Sequence, residues 1–187
     1  MHPARGGRLT SWTIVDSVTA EVRVQELGLE IPDFTLTPYT GLKYGAVRSH
    51  RLVGDVLYLS GHLPELTDGR VVNPGTVGDT LTVEEGYAAA RVAGLNALAG
   101  IRLAVGSLDC VEAVISSVNF VVCQPSFPDI HLVASGCTDL LREVFGPEVG
   151  VGGRTTVGIT ALARGHCFET LLTLEVACGD PGEGHTA

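Results

Sequence analysis

Residues 154–177 read RTTVGITALARGHCFETLLTLEVA: two β-rich runs, Arg154 to Leu162 and Cys167 to Ala177, joined by Ala163-Arg164-Gly165-His166. Side chains alternate faces along a strand, so Thr155, Val157, Ile159 and Ala161 point one way and Arg154, Thr156, Gly158 and Thr160 the other. On the second run Phe168, Thr170, Leu172, Leu174 and Val176 make an apolar set that meets the core, leaving Cys167, Glu169, Leu171, Thr173 and Glu175 opposite. Closed as a hairpin at Arg164-Gly165, the pair sets Thr160 across from Glu169. It also puts Arg154 on the face of Glu169, roughly 20 Å away. One small molecule cannot touch both within a chain, so two subunits must supply them if they act together.

Working upstream, Gly150-Val151-Gly152-Gly153 precedes a strand instead of joining strand to helix, and so reads as a cleft wall and not as a phosphate cradle. Ser126-Phe127-Pro128-Asp129 predicts a capping box, after which Ile130, Val133, Cys137, Leu140 and Val144 continue at helical spacing to Gly146-Pro147. Cys110 to Cys123, rich in Val, Ile and Phe, predicts a buried strand. Thr82-Val83-Glu84-Glu85 predicts another capping box, opening a helix of about six turns that ends near Val105-Gly106. That helix carries Ala88, Val92, Leu95 and Leu98 on one face and Ala89, Ala93, Ala97 and Gly100 on others, small enough for close packing. Ala46 to Leu52 and Asp55 to Ser60 predict an antiparallel hairpin, Gly61 to Gly69 a loop, and Val71-Val72 one more short strand.

Residues 1–43 read as an arm with a short helix capped by Asp16 and stopped by Gly28, then an extended stretch marked by Pro32, Pro38 and Gly41. Residues 44–178 form the domain and 179–187 a polar, frayed tail. The sum is an α+β fold, one mixed six-stranded sheet with two helices on one face. The uncovered face predicts a closed ring of subunits with their sheets turned inward. The alternative is a monomer whose second face is solvated.

Composition narrows the function. The chain has 187 residues, 45% hydrophobic and 18% charged, with mean hydropathy +0.30, enough to bury one core. Its formal charge is −9, and its twelve Lys and Arg are scattered, so no basic stripe can neutralise a phosphate backbone and nucleic acid is a poor partner. No apolar run of about 18 residues stands out and Met1 to Arg8 lacks an apolar signal core, so the expectation is no membrane contact and a cytoplasmic protein. The five cysteines include no C-x-x-C pair and read as reduced, mostly buried thiols. The six histidines show no ligand spacing, so no metal is expected.

Several segments together resemble one family. Leu59-Ser60-Gly61-His62-Leu63-Pro64, Glu84-Glu85-Gly86-Tyr87 leading to Leu95-Asn96-Ala97-Leu98, Gly106-Ser107-Leu108-Asp109, and Arg154-Thr155-Thr156-Val157-Gly158 followed by Glu169 are similar, in order and spacing, to the RidA (YjgF, or L-PSP) reactive-intermediate deaminases. The arm from Val24 to Pro32, with Glu26-Leu27-Gly28-Leu29, resembles a longer-armed branch. The resemblance implies a chorismate-mutase-like fold, a homotrimeric barrel with clefts between subunits, and cofactor-free hydrolysis of 2-imino or enamine acids to 2-oxo acids and ammonia. The small-molecule partner is then an imino, enamine or oxo carboxylate.

Position by position, Arg154 matches the family's carboxylate-binding arginine, whose planar guanidinium grips a carboxylate through two parallel hydrogen bonds. Glu169 matches the acidic residue that positions or activates water at the C=N carbon. Ser60 and Gly61 match the strand end lining the pocket, and Tyr44 is the candidate for the pocket tyrosine, with three extra residues between it and Ser60. Two departures reshape the pocket: Thr156 stands where many members have cysteine, and Ser135 where an asparagine often lines the cleft. A specialised biosynthetic step on a larger imine intermediate, by dehydration or cyclisation, and a non-catalytic ligand-binding trimer are the alternative functions. The ribonuclease activity attached to the family by name fits poorly with the acidic charge.

Overall fold

The computed structural model describes residues 18–177. In chain order its elements are α1 (Ala20–Glu26), β1 (His50–Val53), β2 (Val56–Leu59), α2 (Val83–Val105), β3 (Val111–Val122), α3 (Ile130–Val149), β4 (Gly153–Ile159) and β5 (Phe168–Val176). The strands form one mixed sheet in the order β1-β2-β5-β3-β4.

The capping signals were partly realised. Thr82 accepts from the Glu85 amide while the Glu85 carboxylate accepts from the Thr82 amide, and Gly106, at φ 84°, closes the other end of α2. The box at Ser126 does not form. Ser126 sits at φ 64° in a turn, and α3 begins at Ile130 with Asp129 as a cap that makes no side-chain bond. Helical geometry in α3 breaks at Gly146 (φ 82°), just before Pro147, as the Gly-Pro pair predicts. The arm helix α1 is capped by Thr19, whose hydroxyl accepts from the Val22 amide. The expected cap, Asp16, lies outside the described residues.

Small residues decide how the helices pack. A Cβ on Gly136 of α3 would fall 2.1 Å from the Tyr87 carbonyl of α2, so the two backbones touch there and only glycine fits. Ala93, Ala97, Leu98 and Ile101 of α2 and Val133, Leu140 and Val144 of α3 then bury against Leu57, Val121, Phe168, Leu172 and Leu174 of the sheet. The α2 sequence is long and apolar enough by composition to cross a membrane, counter to the sequence reading, because its alanines raise the mean hydropathy; two-thirds of that window is buried inside the protein.

The sheet departs from the prediction in strand number and in strand order. It has five strands, not six, because Val71 makes only an isolated bridge with Glu65. The last two strands are not a hairpin: β4 pairs in parallel with β3, and β5 pairs antiparallel with the opposite side of β3. The crossover through α3 returns the chain parallel to β3. A 3-10 turn at Ala163–Gly165, with Arg164 at φ 57° and Gly165 at φ 77°, then leads into β5. The helices cover one face as expected, with α1 packed on α3 as a third helix: Arg23 donates to the Val144 carbonyl at 3.2 Å. On the other face Tyr58, Val157 and Val53 are 40–59% exposed, with Val118, Phe120 and Leu171 half-buried between them. The thiol reading also needs one correction, since Cys110 is disulfide-bonded while Cys123, Cys137 and Cys167 are free.

Candidate functional site

Two groups of predicted site residues come together, at two separate places. Arg154 lies on the sheet-edge strand β4 opposite Ser117 of β3, which puts it on the helix-covered face. Its guanidinium donates from one nitrogen to Ser135 Oγ and Thr138 Oγ1 of α3, each at 3.2 Å, while Ser135 Oγ donates to the His131 carbonyl at 3.0 Å. Both partners are neutral, so the full charge of Arg154 is left for something else, and the side chain is exposed. Thr156, two residues on and facing the same way, has a buried hydroxyl that bonds to nothing among the described residues. Beside Arg154 a cavity of about 190 Å³ opens between β3 and α3 and the loop at Gly150 and Gly152.

Glu169 belongs to the second group. It pairs with Phe120 of β3 and so lies on the open face. Its half-buried carboxyl group packs directly on Gly61: a Cβ there would fall 1.8 Å from Glu169 Oε1. Burial raises the Glu169 pKa above the ordinary carboxylate value. Gly61 is held by Tyr39, whose hydroxyl donates to its carbonyl, and burial together with the nearby Glu169 charge pushes the tyrosine pKa up to about 12. Next in sequence, His62 bridges Thr170 through both backbone groups, at 2.8 and 3.0 Å. Its buried ring donates from Nδ1 to the Ser60 carbonyl at 2.8 Å and packs on Tyr39 with ring centroids 5.0 Å apart. Since a carbonyl only accepts, Nδ1 carries the proton and Nε2 is bare, turned toward Gly100 and without a partner among the described residues. The Ser60 hydroxyl donates to the Arg48 carbonyl, a structural engagement.

Arg154 and Glu169 do not share a face, which corrects the hairpin reading. Their partners on β3, Ser117 and Phe120, are three residues apart and point oppositely. Two strand spacings and three residues separate the pair by about 14 Å across the sheet. Tyr44 is not at Gly61. It is placed with Lys43, whose ammonium lies 5.4 Å from its ring centroid, and with Arg164. The tyrosine bonded to Gly61 is Tyr39, which the sequence reading did not single out.

Sequence reasoning also missed Glu65. Its carboxylate, 1% exposed, takes Lys43 on one oxygen and Arg164 on the other at 2.8 Å, with His166 Nε2 at 3.3 Å. Asn96 of α2 donates to the carbonyls of Leu63 and Glu65 at 2.7 and 2.9 Å. This buried carboxylate ties the arm to the β4–β5 turn. Among the described residues no three His, Cys, Asp or Glu side chains converge as metal ligands.

Residues 21–164 match the family described as "YjgF/chorismate_mutase-like, putative endoribonuclease". The chain belongs to this family. It is 35% identical over 164 residues to Protein TCP17 of Trypanosoma cruzi, covering 88% of this chain and 98% of TCP17. A Shewanella oneidensis structure described as "a putative endoribonuclease" superposes with a TM-score of 0.77 at 30% identity, covering 84% of this chain and 99% of that one. The Agrobacterium tumefaciens protein Atu1372, of unknown function, superposes at 0.74 with 29% identity, covering 85% and 94%. The α+β sheet with its covering helices is thus the chorismate-mutase-like YjgF fold.

Proposed function

We propose that the protein is a cofactor-free deaminase that hydrolyses 2-imino or enamine acids to 2-oxo acids and ammonia in clefts between the subunits of a trimer. The observation that carries this reading is Arg154, a guanidinium steadied by two neutral hydroxyls and left with an unspent charge at an exposed sheet edge. Such a group holds a carboxylate. Glu169 supplies the other requirement, a carboxyl group whose raised pKa suits it to take a proton from water. Since the two lie about 14 Å apart on opposite faces of one sheet, Arg154 of one copy works with Glu169 of a neighbour. The partly apolar open face supports such an assembly, because a second copy would bury Tyr58, Val157 and Phe120.

In this reading Arg154 fixes the substrate carboxylate and Glu169 accepts a proton as water adds to the C=N carbon. Glu169 returns that proton to the nitrogen, giving a neutral carbinolamine; the carbinolamine hydroxyl proton then passes to the nitrogen through the same carboxyl group, the C–N bond breaks as C=O forms, and ammonia and the 2-oxo acid leave. The Gly61 segment, pinned by Tyr39, sets where Glu169 stands.

The test is ammonia release from imino acids generated in situ by an amino-acid oxidase. Wild type should hydrolyse them, Arg154→Ala should lose 10²-fold or more in kcat/KM, and Glu169→Gln should lose the acid limb of the pH–rate profile. That limb should lie above pH 4.5, since burial raises the Glu169 pKa and the base works only when ionised. Equal rates in wild type and Arg154→Ala reject the assignment. A solution mass of one chain would reject the shared cleft. The same preparation should fail to retain RNA at low salt, given the −9 charge.

A further inference from the structure

We infer that the cavity beside Arg154 is built for an acid with two anionic groups, and that Arg142 holds the second. The inference rests on the reading of Arg154 as a carboxylate anchor and names the substrate class of that cleft. Six of the ten Lys and Arg side chains among the described residues are already engaged, and Arg48 and Arg51 do not line this cavity. Lys43 and Arg164 pair with Glu65, Arg70 with Asp68, Arg91 with Glu143 and Arg102 with Glu21, while Arg23 donates to a carbonyl. Arg142 makes no ion pair or hydrogen bond among the described residues, and it lines the same cavity as Arg154. In a chain of net charge −9, two guanidinium groups left without carboxylates at one concave spot are an arrangement an anion would stabilise.

Helical spacing places the second arginine. Ser135, Thr138 and Arg142 recur at i, i+3 and i+7 on α3, so one stripe of the helix holds both hydroxyls that steady Arg154 and then the free guanidinium. Arg142 follows Thr138 by about 6 Å along the helix axis, the spacing between the ends of a short diacid.

A Cβ on Gly152 would fall 2.0 Å from the Val114 carbonyl and one on Gly150 2.4 Å from the Leu141 carbonyl, so the loop lies flat on its neighbours and sends no side chain from either position into the space. Buried Ser117 lines the floor. Its oxygen accepts from Asn119 at 3.2 Å, which leaves its hydroxyl proton free for a ligand. Asp139 also lines the cavity, but its carboxylate is turned to α2, where it accepts from the Tyr87 hydroxyl at 3.1 Å. The space, about 190 Å³, is of the size that takes a short diacid.

Calorimetric titration with 2-oxoglutarate and with 2-oxobutyrate, alongside ammonia release from the matching imino acids, tests the assignment. Wild type should prefer the diacid by about 30-fold, the worth of one charge-assisted contact. Arg142→Ala should erase that preference, Arg142→Lys should restore part of it, and Arg154→Ala should weaken both ligands. A wild type with no diacid preference, or an Arg142→Ala protein that keeps it, overturns the inference. A diacid preference that vanishes in Arg142→Ala, in a protein that releases no ammonia, would sink the deaminase reading and leave this assignment standing.

Discussion

Acidification from pH 7 to pH 5 should cost this protein stability through His62, and the size of the loss can be worked out. The ring is fully buried, with Nδ1 bonded to the Ser60 carbonyl and Nε2 facing Gly100, where a second N–H would find no acceptor. Burial therefore pushes its pKa from 6.5 down to about 4, against the smaller opposing effect of the Ser60 bond. A histidine lowered in the fold stays neutral there while the unfolded chain takes up a proton below pH 6.5. Stability is thus complete above that value and falls as pH drops toward 4. Between pH 7 and pH 5 the linkage amounts to about 2 kcal/mol. With a urea slope near 2 kcal/mol/M, that shifts the unfolding midpoint by about 1 M. His166 is lowered by burial as well and adds to the fall with the same sign, so wild type alone does not isolate His62. The comparison is with His62→Gln, whose amide can still donate to Ser60 but does not titrate. Urea unfolding of both proteins at pH 7 and pH 5 should show the variant losing about 2 kcal/mol less across the interval. The same loss in both proteins would refute the argument that His62 is held neutral by burial.

Two further substitutions probe the site and its support. Gly61→Ala needs no unusual backbone, yet its methyl group would land on the Glu169 carboxyl group; it should cut imine hydrolysis by 10-fold or more with an unchanged far-UV circular dichroism spectrum, and full activity would show that Glu169's position is immaterial. Glu65→Gln removes the shared partner of Lys43 and Arg164, and half-exposed cations can recover some hydration, so thermal or urea unfolding should report a loss of about 2 kcal/mol, whereas no loss would mean that the arm is held by packing alone.

Some of this was readable because the signal was local. The Thr82 box and Gly106 bracket α2 within one turn at each end, and the apolar period of α3 runs unbroken from Ile130 to Val144. Face alternation along β5 was also read correctly, with Phe168, Leu172 and Leu174 buried and Glu169 opposite. Of the residues expected at the site, Arg154 lies against Ser135 and Gly61 against Glu169.

What the chain alone determined, then, was each element and the chemical kind of residue it bears, because caps, periodicity and turn residues act over a few positions. Which strands became neighbours was decided only in the folded sheet. The two last β runs look like a hairpin in isolation, but β3 lies between them and pairs with both, turning Arg154 to the helices and Glu169 to the open face. Strand partnership depends on burial summed over the whole domain and on the path of the α3 crossover, neither of which is written in any short window. The same holds for Tyr39, which reaches Gly61 from the arm, and for Glu65, a loop carboxylate by sequence that becomes a buried anchor only when Lys43 and Arg164 converge on it from distant parts of the chain.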